Sequence, residues 1–255
     1  MTFLRRQPAR ACPGANGNGQ NGVVLDAATV ARQGRRILGP LTLALTEPRI
    51  GVVGRNGSGK STLARLMCGL IAPDSGTAQV YGTDIARDRK AAIRAVGLLF
   101  QNPDHQIIFP TVGEEVAFGL TQLGASKAAA REGAHAALAR FGKRHWAERS
   151  VHTLSQGQRH LVCLMAVLAM APRLIVLDEP FAGLDIPTTR ALNRYLDGLE
   201  QQIILITHDP PMLGGVNRVI WLERGDVAGD GPPGHVLPAF HAGMETDDDC
   251  PDLAD

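Results

Sequence analysis

Short apolar runs rich in Val, Ile and Leu alternate with longer stretches of helical spacing along most of the chain. Residues 23–25, 41–45, 50–53, 96–100, 174–177, 203–206 and 219–222 are predicted as strands. Residues 61–70, 126–142, 155–170 and 188–199 are predicted as helices from their length, caps and apolar spacing. Strands that are apolar throughout, bounded by helices, imply a sheet covered on both faces and an α/β class. Between residues 102 and 160 helical signals dominate and strand signals are few, so an α-helical subdomain is expected there, inserted in the α/β core. Gly, Asn and Pro fill residues 12–22, which places the start of order near Val23 and leaves residues 1–22 as a disordered tail. The main domain is expected over 23–240. Residues 241–255 form a tail that carries six acids and no base from Glu245 onward.

Composition narrows the function classes. Twenty-six basic and 25 acidic residues leave a net charge of +1, so no global field argues for nucleic acid as a partner. With 44% apolar and 20% charged residues among 255, the chain can bury a sizeable core. The longest apolar run, residues 161–171, falls well short of the ~20 residues that cross a bilayer as a helix, and no membrane span is expected. Cys12, Cys68, Cys163 and Cys250 lie far apart and form no disulfide or metal-ligand pattern, which favours a reducing cytoplasm. Arg5, Arg6 and Arg10 precede no apolar segment, so the N-terminus does not read as a secretory signal.

The sharpest chemical feature is the run Gly54, Arg55, Asn56, Gly57, Ser58, Gly59, Lys60, Ser61 and Thr62, directly after one predicted strand and directly before a predicted helix. Glycines let successive N–H groups curl around a phosphate, and the helix N-terminus adds partial positive charge aimed at the same anion. In such a P-loop Lys60 reaches the β- and γ-phosphates and the Ser61 hydroxyl ligates Mg²⁺. A second element, residues 174–180, is an apolar strand ending in Asp178 and Glu179. Acids at a strand's carboxyl end stand where α/β sheets bind ligands. Asp178 is placed to hold Mg²⁺ through water, and Glu179 to polarise the attacking water. A third, residues 154–159, puts Ser155 at the cap of an apolar helix with Gly157 and Gln158 close behind, leaving N–H groups for an anion.

The order of these elements resembles the nucleotide-binding subunit of ATP-binding cassette (ABC) transporters. It comprises a P-loop, Gln101 after a strand, L-S-x-G-Q at residues 154–158, an apolar strand ending D-E, a G-L-D turn at 183–185, and a strand followed by His208. The resemblance covers about residues 23–225. It implies a P-loop NTPase fold, a RecA-like mixed sheet with an inserted helical subdomain, that hydrolyses ATP with Mg²⁺. It also implies a head-to-tail homodimer, in which Ser155 and Gly157 of one subunit meet the γ-phosphate held by Lys60 of the other. In the roles it carries over, Gln101 senses Mg²⁺ and water, Asp185 couples the two sites, and His208 contacts the γ-phosphate beside Glu179.

Two positions depart from the family pattern. Gln156 replaces the usual glycine of L-S-G-G-Q. No aromatic residue precedes the second strand to stack on adenine, and Arg32 is there either as a guanidinium platform or as a solvated side chain.

The run F-Q-N-P-D-x-Q from Phe100, continuing into P-T-V-x-E-E-V-A-F-G, resembles the ATPases of energy-coupling factor (ECF) importers, which take up vitamins and transition metals. That resemblance implies a transmembrane coupling protein and a substrate-binding membrane subunit as partners, and a peripheral place on the cytoplasmic side of the inner membrane. Residues 154–158 and 181–187 look nearer to biotin-system ATPases than to cobalt or nickel ones. Thr111 and Glu114 form a capping box, which leaves Glu115 as the residue expected to be free to meet a basic coupling helix. His105 has no second His or Cys at ligand spacing and reads as a surface residue. The alternative function is a soluble ABC ATPase of iron–sulfur cluster assembly, which would share every catalytic element. A DNA-repair ABC ATPase would need a long coiled coil between P-loop and signature, and no heptads are present.

Overall fold

The computed structural model describes residues 22–208 and 210–245. The expected N-terminal tail, apart from Gly22, and the acidic stretch after Glu245 lie outside those residues. The strands are β1 (Val23–Arg32), β2 (Arg35–Leu45), β3 (Arg49–Val53), β4 (Ser75–Val80), β5 (Val96–Leu99), β6 (Leu174–Asp178), β7 (Gln202–Ile206), β8 (Arg218–Glu223) and β9 (Asp226–Gly231). The helices are α1 (Lys60–Met67), α2 (Arg89–Ala95), α3 (Val112–Gln122), α4 (Lys127–Arg140), α5 (Gln156–Ala169), α6 (Ile186–Asp197) and α7 (Pro233–Glu245).

A six-stranded sheet in the order β5-β6-β7-β3-β8-β9 forms the core, parallel except for β9, which runs antiparallel to β8. Its strands are apolar on both faces for a visible reason. Val52, Leu174, Val176, Ile204 and Ile206 face one apolar cluster with α1 and a three-stranded antiparallel sheet, β2-β1-β4. Val53, Ile175, Leu177, Ile203, Leu205 and Val219 face the other, with residues of α5, α6 and α7. A third cluster holds α3 and α4 against α5 through Val116, Leu138, Val162 and Met165. Helix α5 belongs to both, with Cys163, Leu164 and Val167 turned to the core sheet. The signature residues at its start are thus anchored to both parts.

The structure differs from the sequence expectation mainly at the edges. β1 runs to Arg32, because a bulge at Ala27 (φ 46°) breaks the alternation after the first residues. Gln33 (φ 50°) and Gly34 (φ 75°) then close a two-residue hairpin to β2, both in the left-handed region that such a turn demands. β4 (S-G-T-A-Q-V) and β9 (D-V-A-G-D-G) are edge strands with too little apolar content to announce themselves. Helix α7 crosses the expected boundary at residue 240, with Val236 and Phe240 buried on the core. Among the described residues no helix is long and apolar enough to cross a membrane.

Candidate active site

β3 enters the sheet's centre, between β7 and β8, and ends at the buried Val53. The loop that follows has little room. A Cβ at Gly54 would lie 2.3 Å from the Leu222 carbonyl oxygen, so the chain passes β8 at a distance only glycine permits. Gly59 (φ 103°) turns the loop into α1, whose first residue is Lys60. The Lys60 ammonium donates to the carbonyls of Gly54 (2.7 Å) and Arg55 (2.8 Å), and burial lowers its pKa against the opposing pull of Glu179 and Asp178. The Ser58 hydroxyl, within the loop, is buried and has no hydrogen-bond partner among the described residues. The Arg55 guanidinium turns away from the loop, its Nε 3.4 Å from Met244 Sδ on α7.

A cleft of about 390 Å³ opens beside this loop and gathers Asn56, Gly57, Gly59, Lys60, Ser61 and Thr62 with Gln101, Asp178 and Glu179. Ser61 Oγ donates to Asp178 Oδ2 at 2.9 Å. Burial pushes the Asp178 carboxyl above its ordinary range, and the Ser61 bond opposes that shift. A hydroxyl, a carboxylate and an amide oxygen side by side are the hard donors that suit Mg²⁺. Among the described residues no group of three or more His, Cys, Asp or Glu side chains could hold a metal ion.

Glu179 follows β6 in the left-handed conformation (φ 52°), which is strained for a residue with a side chain. Its amide is tied to the Ile206 carbonyl at 2.9 Å. Its Oε1 accepts from the His208 amide (2.8 Å) and from His208 Nδ1 (2.7 Å), and its Oε2 accepts from the Thr207 hydroxyl (3.1 Å). His208 itself is exposed and reaches the cleft through Glu179. Thr207, 2% exposed, touches Glu179 and was not assigned by motif reading; the signal in the sequence was a hydroxyl residue directly after an apolar strand and before His208.

Ser155, Gly157, Gln158 and Asp185 do not join this cleft within one protomer. They line a separate cleft of about 630 Å³ between α4, α5 and α6. Ser155 and Gln158 form a reciprocal capping box: the Gln158 amide donates to Ser155 Oγ (3.3 Å) and the Ser155 amide to Gln158 Oε1 (3.1 Å). A Cβ at Gly157 would lie 2.3 Å from the Gly183 carbonyl oxygen, so the signature glycine is required for packing against the G-L-D turn. Asp185 caps α6, and hydrogen bonds from Thr188 hold its carboxyl below the ordinary range.

Contrary to the expectation from its position beside the cap, Glu115 is held by its own loop. Glu115 is not free: it is 5% exposed, and its Oε2 accepts from the amides of Ile108 and Phe109, both at 2.9 Å. Thr111 caps α3, accepting from the Glu114 amide at 3.4 Å, but the other half of the expected capping box differs: Glu114 Oε2 accepts from the Thr111 hydroxyl (2.6 Å), where a capping box has it accept from the Thr111 amide. Arg32 stands exposed at the end of β1, and Ile37 lines the phosphate cleft in its stead. His105 is exposed.

A strand, glycine loop and helix facing two acids on a nearby parallel strand define a nucleotide-hydrolysing P-loop protein. The sequence profile of the ABC transporter family matches residues 41–182, more than half of the chain. The chain belongs to the ABC transporter family, as an ATP-binding subunit whose hydrolysis of ATP is coupled to transport. It is 54% identical to the biotin transport ATP-binding protein BioM of Rhodobacter capsulatus over 85% of this chain and 93% of that protein. The protein of the same name from Rhizobium etli is 41% identical over 86% of this chain and 97% of its own length. Among solved structures, CbiO1 of Clostridium perfringens, described as part of the ABC transporter complex CbiONQ, superposes with a TM-score of 0.72 at 27% identity, covering 92% of this chain and 97% of that one. None of these relatives supports the iron–sulfur assembly alternative.

Proposed function

We propose that the chain is the ATP-hydrolysing subunit of an ECF-type importer for biotin. The carrying observation is the 54% identity to a biotin transport ATPase over nearly its whole length. In this reading the subunit sits peripherally on the cytoplasmic face of the inner membrane, bound to a transmembrane coupling protein beside a substrate-binding membrane subunit.

Two copies face head to tail. Gly54 to Thr62 of one protomer hold the phosphates, with Lys60 exchanging its loop carbonyls for phosphate oxygens. Ser155, Gly157 and Gln158 of its partner close over the γ-phosphate, and Asp185 links the two sites. Ser61, Gln101 and Asp178 would hold Mg²⁺, which would offset phosphate charge. Glu179 takes a proton from water as the water oxygen bonds to the γ-phosphorus and the bond to the bridging β–γ oxygen breaks. His208, tied to Glu179, meets the γ-phosphate. Release of phosphate removes the charge that bridges the two copies, so the dimer opens and moves the coupling protein. The separation of the signature cleft from the phosphate cleft in one protomer supports this arrangement, since neither half is complete alone.

The test is purification of the tagged chain from detergent-solubilised native membranes, with mass identification of what accompanies it. A coupling protein with a small membrane subunit that binds labelled biotin supports the reading. Recovery with soluble assembly proteins alone removes the chain from transport. A membrane subunit that ignores biotin and binds cobalt or nickel keeps the importer and replaces its cargo.

A further inference from the structure

We propose that Thr207 is a positioning residue for hydrolysis: its hydroxyl orients Oε2 of Glu179, the carboxylate oxygen that receives the proton of the attacking water. The inference rests on Glu179 acting as the base, and it adds which atom acts and what aims it. A carboxylate oxygen accepts two hydrogen bonds comfortably, one per lone pair. Oε1 already receives both His208 donors, the amide at 2.8 Å and Nδ1 at 2.7 Å. Among the described residues Oε2 receives only the Thr207 hydroxyl, which leaves it an accepting direction. With one lone pair committed to Thr207, the other is fixed in direction, and Glu179 lines the phosphate cleft.

The backbone makes Thr207 a rigid anchor for this purpose. Its amide donates to the Val52 carbonyl at 3.1 Å, one residue before the end of the strand that launches the P-loop. The Glu179 amide is tied in turn to Ile206, the residue before Thr207. A single stretch of β7 therefore registers the base against both its own strand and the phosphate-binding loop. Thr207 is 2% exposed and Glu179 9% exposed, so water does not readily replace the hydroxyl as donor. Without it the flexible Glu179 side chain, hinged at Oε1, loses the bond that stops its other oxygen from swinging.

The experiment is steady-state ATP hydrolysis by the purified full chain with saturating Mg²⁺. Thr207→Val keeps the side-chain volume and removes the donor. We expect kcat to fall about tenfold to a hundredfold, the scale of a misaimed reacting group. KM for ATP should stay within about twofold, because the phosphate cleft is lined by Asn56, Lys60, Ser61, Thr62 and Gln101 and not by Thr207. Thr207→Ser, which restores the hydroxyl, should recover most of the rate, and Thr207→Ala should fall as Val does, so that the result does not depend on one variant folding. If Glu179→Gln is inactive and Thr207→Val turns over at the wild-type rate, or if Ser fails to rescue while Val binds ATP normally, the positioning role is wrong and the base assignment stands. If Glu179→Gln itself turns over ATP at near-normal rate, the base assignment falls, and the role given to Thr207 falls with it.

Discussion

Glu115→Ala should destabilise the protein by about 2–3 kcal/mol, a large effect for a residue that the sequence presents as a surface acid. The Glu115 carboxylate accepts from two adjacent amides, Ile108 and Phe109, both at 2.9 Å, and only 5% of the residue is exposed. Hydrogen bonds to a charged acceptor are each worth about 1.5–3 kcal/mol, so the gross loss is about 3–6 kcal/mol. Alanine also relieves the burial of a charge, which offsets roughly half of that. Glu115 lies in the first turn of α3, where a negative charge adds about 0.3–1 kcal/mol against the helix dipole. For a domain of this size the net loss corresponds to a fall in melting temperature of about 5–10 °C. Glu115→Gln keeps an oxygen for both amides and should cost about 1 kcal/mol or less, mostly the lost charge. Urea denaturation of the two variants checks this. If Ala unfolds at the wild-type midpoint, or if Gln loses as much as Ala, the carboxylate does not hold the loop.

Glu179→Gln should abolish turnover, retain ATP binding and accumulate an ATP-dependent dimer on gel filtration, because the amide oxygen can keep both His208 bonds while losing basicity; near-normal hydrolysis would refute the assignment. Gly157→Ala should disturb the packing of the signature turn on Gly183, where the new Cβ would lie 2.3 Å from a carbonyl oxygen, and reduce cooperative hydrolysis by more than about tenfold. ATP-bound dimer of wild-type strength in that variant would contradict the close contact. Burial lowers the pKa of His160, which is 1% exposed, so between that lowered value and its ordinary 6.5 the unfolded chain binds the proton and the folded chain does not. Stability should therefore be full above about pH 6.5 and fall as pH drops through that window. His160→Gln should flatten this limb in melting curves taken from pH 7.5 to 5.5, and an unchanged limb would place the acid sensitivity elsewhere.

The core strands and the chemistry were legible because burial and catalysis both write dense local signals. β3, β6 and β7 are apolar except for one terminal residue each, since the sheet is covered on both faces, and the P-loop follows β3 while the acid pair begins at the last residue of β6. Edge strands left a fainter mark: β4 and β9 pair with β1 and β8, and between them only Ala78, Val80 and Val227 pack on the core cluster. The adjacent acids Glu114 and Glu115 show the limit most clearly. Their sequence context is the same, yet a helix turn sends one to the Thr111 cap and the other into a loop six or seven residues back in the chain. Only the path of residues 100–110 decides which is which, and that path is set by non-local packing.

The same reasoning explains why so much of the site sits on three neighbouring strands. β3 carries the phosphate loop, β6 the two acids, and β7 leads to Thr207 and His208, with β7 lying between the other two. Hydrogen-bonded strands lie about 4.8 Å apart, so groups at the ends of β6 and β7 meet within side-chain reach without any long loop. That proximity is visible in the bonds themselves, Ile206 to the Glu179 amide and Val52 to the Thr207 amide. A parallel order with β7 at the centre places the residues that hold Glu179 on the strand shared by its neighbours. A shift of β7 by one residue would turn Thr207 to the other face of the sheet and remove a donor from the carboxylate. Register in the sheet therefore specifies the catalytic geometry as well as the fold, and the apolar run 203–206, which fixes that register through burial on both faces, contributes to catalysis although it contains no polar atom beyond its backbone.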